Sequence, residues 1–175
     1  MLTIAQLLTL VTAVSGAAIN VRDAAKVLAD LQTINTDNDN LHKAVDAYSG
    51  GIASAIGILN TSNQLDKDIK SATSDAQAAG AASEADAQSI IDYINNTLEP
   101  GIASTVQALE GKKAQFDKDG LTSTVHDQLV KLKGDTDSLG AALIADAPDD
   151  LKDSGNAAQA KIDGDFQGAI DFFSS

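Results

Sequence analysis

Apolar residues recur every three or four positions from Val21 to Phe173. Val125, Leu129, Leu132, Thr136, Leu139 and Leu143 form the clearest stripe, one face of a helix four turns or more in length. Similar stripes predict a first helix over Val21 to Tyr48. There Leu28, Leu31, Ile34, Leu41, Val45 and Tyr48 share a face, with Asn38 among them. The polar run Asn35 to Asn40 interrupts this helix in composition, yet the stripe resumes in phase beyond it, so continuity is expected. Gly50-Gly51 ends the element.

A second helix is predicted over Ile52 to Ala79, on Ile52, Ile56, Leu59, Leu65, Ile69, Ala72 and Ala76. Its phase slips at Asn60 to Asn63, which predicts a kink. Ser83, three residues before Asp86, reads as the cap of a third helix bearing Ile90, Ile91, Ile94 and Leu98. Pro100 disfavours helical geometry in the residue before it, so a boundary is expected near Leu98-Glu99. A fourth helix follows through Ile102, Val106, Leu109 and Phe116 to Gly120. Thr122 or Ser123 is expected to cap the fifth. Pro148 is expected to open a last helix through Leu151, Ala158, Ile162, Phe166, Ile170 and Phe173. The fold class is all-α: a single-domain bundle of about five amphipathic helices enclosing an apolar cavity.

The expectation of a cavity comes from residue size. Aromatics make up 3% of the chain. Gly57, Gly101, Gly134, Gly140, Gly155, Gly164 and Gly168 all fall inside helical patterns. Each costs up to about 1 kcal/mol of helix stability against Ala. Small residues either bring helices close or leave room between them.

Composition narrows the chemistry. The 175 residues suit one domain, and none is Cys or Trp. The formal net charge of −13 argues against nucleic acid and against anionic membrane surfaces. His42 and His126 lack a second His or Cys at helical spacing, so no metal is expected. No nucleophile elbow, phosphate loop or calcium loop is present. The expectation is a protein that is not an enzyme and carries no cofactor.

Residues 1–18, with the uncharged apolar run Leu2 to Val14 and small residues to Ala18, read as a secretory signal peptide. Residues 19–175 would form the mature domain. Asn60-Thr61-Ser62 and Asn95-Asn96-Thr97 match the N-glycosylation pattern, so Asn60 and Asn95 are candidate acceptors. No long apolar tail follows Phe173, so no glycolipid anchor is expected. The product is expected to be secreted, extracellular or cell-wall associated.

The stretch Leu109-Glu110-Gly111-Lys112-Lys113-Ala114-Gln115-Phe116 carries the most distinctive motif, a lysine pair shortly before Gln-Phe. With Leu129-Val130-Lys131-Leu132, Thr136-Asp137-Ser138-Leu139, Ala141-Ala142-Leu143, Pro148 and Ile162 to Ile170, it resembles the fungal cell-wall galactomannoproteins. These are also called hydrophobic surface binding protein A-like. Weaker similarity extends back to about Val21. The resemblance implies a secreted fungal bundle that encloses long-chain fatty acids such as arachidonic or palmitic acid. It also implies sequestration of host lipid signals. The alternative it leaves open is a surface-active wall protein that adsorbs to hydrophobic surfaces. Long-chain fatty acid is thus the expected partner. Cell-wall polysaccharide and hydrophobic surfaces are secondary ones, and the chain is expected to be a monomer or weak dimer.

The candidate lipid-lining residues are Leu31, Ile34, Leu41, Val45, Ile56, Leu59, Ile94, Val106, Leu109, Leu132, Leu139, Leu143, Ile162 and Phe166. Polar positions on or beside apolar stripes, Thr136, Ser138 and Asn38, are the candidates for a carboxylate head group. Burial gives about 0.8 kcal/mol per methylene, so a tail of ~15 methylenes offers on the order of 12 kcal/mol. Association costs at least ~4 kcal/mol, which leaves micromolar or tighter binding within reach.

Overall fold

In the computed structural model, which describes residues 17–174 with side chains from Ala24 onward, buried positions follow a strict three-four alternation. On α1 (Ala17–Asp46) and the turn after it they are Val27, Leu31, Ile34, Asn38, Leu41, Val45 and Tyr48. On α2 (Ile52–Ala79) they are Ala55, Ile58, Ser62, Leu65, Ile69, Ala72 and Ala76, with Asp66 also buried beside this seam. A 3.5-residue period keeps one seam facing the partner helix over many turns, so the two run side by side along their lengths. The turn between them needs a left-handed backbone, and Gly50 (φ 104°) and Gly51 (φ 89°) supply it.

The chain continues through α3 (Glu84–Tyr93), a π-helical turn (Ile94–Leu98), α4 (Glu99–Gly111), short α5 (Lys113–Asp119), α6 (Thr122–Asp146) and α7 (Lys152–Phe173). α1 packs on α2, α2 on α6, α6 on α7, α7 on α4 and α4 on α1. The ring therefore closes. Five helices around one axis leave a centre that only large side chains could fill. The regular elements of the described residues are all helical, as expected. The proposed signal peptide, residues 1–18, lies almost wholly outside the described residues.

Several local expectations are corrected. α2 is unbroken from Ile52 to Ala79, with no slip of phase at Asn60 to Asn63. Its stripe passes through Ala55, Ile58 and Ser62, while Ile52 and Ile56 point outward, 70% and 51% exposed. Following the largest residues misled the reading, because small ones carry the seam at this end.

Pro100 does not break the rod. Leu98 (φ −71°, ψ −51°) and Glu99 (φ −60°, ψ −47°) stay helical. The Glu99 N–H reaches back to Ile94 O, one residue further than in an α-helix, and this wider turn accommodates the proline. The amides of Asn95 and Asn96 donate to Ile91 O (3.1 Å) and Asp92 O (2.8 Å), adding donors where the ladder is disturbed.

The fourth predicted helix divides at Lys112 (φ −98°, ψ 0°). That lysine turns outward from its own helix. Its Nζ donates to Asp46 O (3.0 Å) and Tyr48 O (2.8 Å), closing the C-terminus of α1. Ser83 caps α3 as expected, accepting from Asp86 N at 3.2 Å. Neither Thr122 nor Ser123 caps α6, which is entered from Leu121. The Thr122 hydroxyl instead donates to the Asp117 carboxylate. Pro148 lies in a turn that closes with Leu151 N on Pro148 O (3.0 Å), and α7 starts only at Lys152.

The end of the bundle near the α1–α2 turn is filled by rings. Tyr48 stacks on Phe116 with centroids 4.6 Å apart, and Phe116 meets Phe173 at 6.2 Å. Burial and the neighbouring Asp119 push the Tyr48 phenol up to about 12. Asp119 accepts from Tyr48 Oη and from Gly51 N, each at 2.5 Å.

Candidate functional site

Three apolar cavities follow one another along the inner face of α6. The lower one is bounded by Leu121 to Leu132, the middle one by Leu129 to Leu139, and the upper one by Thr136 to Ala147. α6 has 25 residues and so spans about 37 Å at 1.5 Å per residue. The upper cavity has a free volume of about 80 Å³, the others about 40 Å³ each. Neighbouring cavities share walls. Leu98, Thr136 and Leu139 divide upper from middle; Leu41, Leu109, Leu129 and Leu132 divide middle from lower.

The upper cavity owes its size to small side chains. Ala24, Ala76, Ala79, Ala82, Ala87, Ala147, Ala158, Gly140 and Gly155 line it beside Leu31, Ile94, Leu143 and Ile162. Its end is covered by the Gly80 to Ser83 connection, pinned where Ala82 N donates to Asp146 O (2.9 Å). A Cβ on Gly155 would sit 3.1 Å from the Ile144 side chain, so glycine there lets α7 approach α6 without displacing it.

The middle cavity is where polar atoms enter the apolar interior. Asn38 is 3% exposed, and its Nδ2 has no hydrogen-bond partner. Gly101 lets it come close: a Cβ there would stand 3.2 Å from Asn38 Nδ2 and from Asn35 Oδ1. Thr105 is also buried, donating to Gly101 O (3.1 Å) and lying 3.4 Å from His42 Nδ1. The other ring nitrogen of His42 is 3.3 Å from Asp46. Thr136 reaches both the middle and the upper cavity. A buried amide donor without a partner is costly, of order 1–3 kcal/mol, unless an acceptor fills the space. The middle cavity thus sets one unpaired amide donor, Asn38 Nδ2, in an otherwise largely apolar surround, where an oxygen acceptor would satisfy it. Among the described residues no group of three or more His, Cys, Asp or Glu could hold a metal ion.

Most of the residues singled out from sequence fall on these walls. Leu31, Ile94, Leu143 and Ile162 line the upper cavity; Ile34, Asn38, Val106 and Phe166 the middle; Leu59 the lower; and Leu41, Leu109, Leu132, Thr136 and Leu139 belong to two. Three do not. Val45 is fully buried in the core and lines none of these three cavities, and Ile56 faces solvent. Ser138 is exposed, and its hydroxyl is spent on Gly134 O of its own helix (2.9 Å). It sits two residues from Thr136, which turns it to another side of the helix. Leu65, Ile69, Ala76, Leu98 and Ala158 are read on helix stripes but not assigned to the site, and the remaining alanines and Thr105 are not singled out. Three-four spacing was the signal that could have found them. The glycosylation candidates differ: Asn60 is exposed, whereas Asn95 is half-buried, with its amide bonded to Ile91 O and its Oδ1 accepting from Lys161 (3.0 Å).

A closed ring of amphipathic helices around unfilled apolar space defines an all-α bundle with an internal apolar site. The family model described as Hydrophobic surface binding protein A matches residues 24–145, and the chain belongs to that family. A solved structure described as AFMP4P in complex with palmitic acid is 35% identical and superposes with a TM-score of 0.83, over 86% of this chain and 99% of that one. Ligand binding domain 1 of the Penicillium marneffei MP1 protein, complexed with arachidonic acids, shares the fold at 19% identity. Its TM-score is 0.80, over 89% of this chain and 99% of that one. Ligand binding domain 2 of the same protein, complexed with multiple arachidonic acids, gives 22% and 0.75, over 89% and 96%. No curated protein matches the chain by sequence. Among the described residues, no helix is long and apolar enough to cross a membrane.

Proposed function

We propose that this chain binds long-chain fatty acids of the palmitic or arachidonic type along the bundle axis. The observation that carries the reading is the line of three apolar cavities separated only by side chains. Rotation of Leu139 and Leu132 would join them for a guest longer than one cavity. Asn38, with Thr105 and Thr136 near it, is the polar group suited to a carboxylate or carbonyl oxygen. The palmitic acid complex of a 35% identical relative supports the same guest. Burial of about 0.8 kcal/mol per methylene supplies the drive, so a strong ion pair at the head group is not required.

No catalytic step belongs to this reading. The chain would act as a secreted fungal mannoprotein that sequesters lipid, including host lipid signals, with Asn60 the better placed of the two glycan sites. The test is mass spectrometry of an organic extract of the purified protein, then titration of delipidated protein with palmitate and arachidonate. About one fatty acid or more per chain is expected. Neither co-purified lipid nor saturable binding would overturn the proposal.

A second reading, adsorption to hydrophobic surfaces, is favoured by the outward-facing Ile52 and Ile56. They lie one turn apart in the stretch 47–63, which has no charged residue. Binding to a hydrophobic solid that Ile52→Ser with Ile56→Ser abolishes, while fatty-acid binding persists, would establish this as a separate activity of the outer face.

A further inference from the structure

Polar side chains cross the α1–α4 seam on two successive rungs. Asn38 and His42 lie one turn apart on α1, and Gly101 and Thr105 one turn apart on α4. Asn38 meets Gly101, whose Cβ position is 3.2 Å from Asn38 Nδ2; His42 meets Thr105, with Nδ1 3.4 Å from Oγ1. Asn38 and Thr105 are buried and both wall the middle cavity. His42 is half-buried, and its Nε2 stands 3.3 Å from Oδ2 of the exposed Asp46. Thr105, His42 and Asp46 therefore join the cavity to the solvent, and the unpaired Asn38 Nδ2 belongs to the same cavity as their inner end.

The state of the His42 ring sets where the single Thr105 hydroxyl hydrogen goes. The Asp46 carboxylate can only accept, so in a neutral ring Nε2 carries the hydrogen and Nδ1 is an acceptor. Thr105 then gives its hydrogen to Nδ1 or to Gly101 O (3.1 Å) and turns lone pairs toward the cavity. A protonated ring has hydrogens on both nitrogens. Nδ1 then donates to Thr105 Oγ1, and the hydroxyl hydrogen can leave Gly101 O for an oxygen in the cavity. With Asn38 Nδ2, the cavity in that state offers two donors to the two oxygens of a carboxylate.

We propose that Thr105 and His42 form a relay that senses the charge of the guest's head group: His42 takes up a proton when a fatty carboxylate occupies the middle cavity, and Thr105 passes that change to the guest. This rests on the fatty-acid reading and adds to it the group that reads the head. Asn38 and Thr105 touch the guest, and His42 is a positioning residue that acts through Thr105.

The sign follows from linkage. A nearby carboxylate favours the charged ring, so binding takes up a proton, and affinity falls as rising pH removes it. Histidine is the side chain suited to make that change between about pH 5 and 8. The other charged groups of the surrounding elements are turned elsewhere. On α1, Asp39 faces Tyr93 of α3. From α2, Lys67 acts on Asp68, Lys70 pairs with Asp66 and Asp135, and Asp75 pairs with Lys26. The π turn has no ionisable side chain. On α4, Glu99 acts on Asp165, and among the described residues Glu110 forms no ion pair with His42. Lys112, just after α4, gives its Nζ to Asp46 O and Tyr48 O.

The test titrates the delipidated protein with palmitate and with hexadecanol, whose head group does not ionise, at about pH 5.5 and about pH 8. Palmitate affinity of the wild type should fall several-fold from the lower pH to the higher, and hexadecanol affinity should not. His42→Gln should flatten the palmitate slope. Thr105→Val, which keeps the shape and loses the hydroxyl, should flatten it too, whereas His126→Gln should keep it. The chain has two histidines, so His126→Gln also assigns the ring resonances in an NMR spectrum. Palmitate added at about pH 7 should move the His42 resonances toward the protonated form, and hexadecanol should not. A palmitate slope as steep in His42→Gln as in wild type would mean that the guest's own carboxyl takes the proton, and would overturn the relay. Palmitate bound with no pH slope, or with His42 unmoved, would overturn it as well, as would hexadecanol bound without palmitate. Binding of neither guest at either pH would sink the fatty-acid reading and the relay with it.

Discussion

The two ends of this bundle use the same helical period and reach opposite results. At the α1–α2 turn, Tyr48, Phe116 and Phe173 stack into a filled plug. At the other end Ala76, Ala87 and Ala158 occupy equivalent seam positions, with Gly140 and Gly155 beside them, and the axis is left open. Periodicity decides which side of a helix turns inward. Side-chain volume decides whether the inside is solid. The ring of five helices is thus packed at one end by aromatics and left roomy at the other by alanines.

The difference can be broken first at the solid end. Phe116→Ala removes the middle ring of the stack, and a buried Phe→Ala change costs about 3–5 kcal/mol. Chemical denaturation should show that loss; Phe116 also walls the lower cavity, so fatty-acid affinity in protein that remains folded should change by less than stability does. At the open end, Ala158→Phe should do the reverse. A phenyl ring there displaces about three or four methylenes of a guest, worth about 3 kcal/mol in affinity. Stability should change by less than the binding does, because the ring enters empty space and does not overpack the core. Titration with palmitate beside a urea curve separates the two. Equal damage to both quantities at both ends would erase the contrast.

The seam spacing was legible in α1, α6 and α7, whose large residues mark it. It was misread at the start of α2, where Ala55 and Ser62 hold the buried positions while Ile52 and Ile56 face out. Hydrophobicity is a weak guide where close packing selects for small size. Pro100 was read by its usual effect on the preceding residue, which a π turn at Ile94–Leu98 avoids by widening the ladder. The role of Lys112 was invisible for another reason: its acceptors, Asp46 O and Tyr48 O, are more than sixty residues away in sequence. Of the polar candidates, Asn38 and Thr136 fall on cavity walls because each sits on a stripe. Ser138 does not, because nearness in sequence is not nearness on a helix.

The polar centre between the two ends gives a smaller effect. Asn38→Leu removes the unpartnered amide without opening a large space. A neutral hydrogen bond contributes about 0.5–1.5 kcal/mol net, so affinity for a fatty acid should fall about three- to tenfold. Affinity for an alkane of equal length should not fall, and stability without ligand should hold or rise slightly. Equal weakening for acid and alkane would mean that Asn38 shapes the cavity and does not meet the head group.

The smallest expected effect lies at Gly101, where the sign depends on two opposed quantities. Alanine is favoured over glycine inside a helix by up to about 1 kcal/mol. Its Cβ would stand 3.2 Å from Asn35 Oδ1 and Asn38 Nδ2, so both side chains must give by a few tenths of an ångström. Asn35 is half-buried and can move outward; Asn38 is 3% exposed and can move only further into the cavity. Gly101→Ala should therefore leave stability within about 0.5 kcal/mol of wild type, the gain in helix propensity being offset by the crowding. It should still lower fatty-acid affinity a few-fold, because the displaced amide encroaches on space the guest would use. A double-mutant cycle with Asn38→Leu decides between direct and indirect action. If the affinity loss from Gly101→Ala persists in the Asn38→Leu background, the glycine acts on the cavity by some route other than this amide.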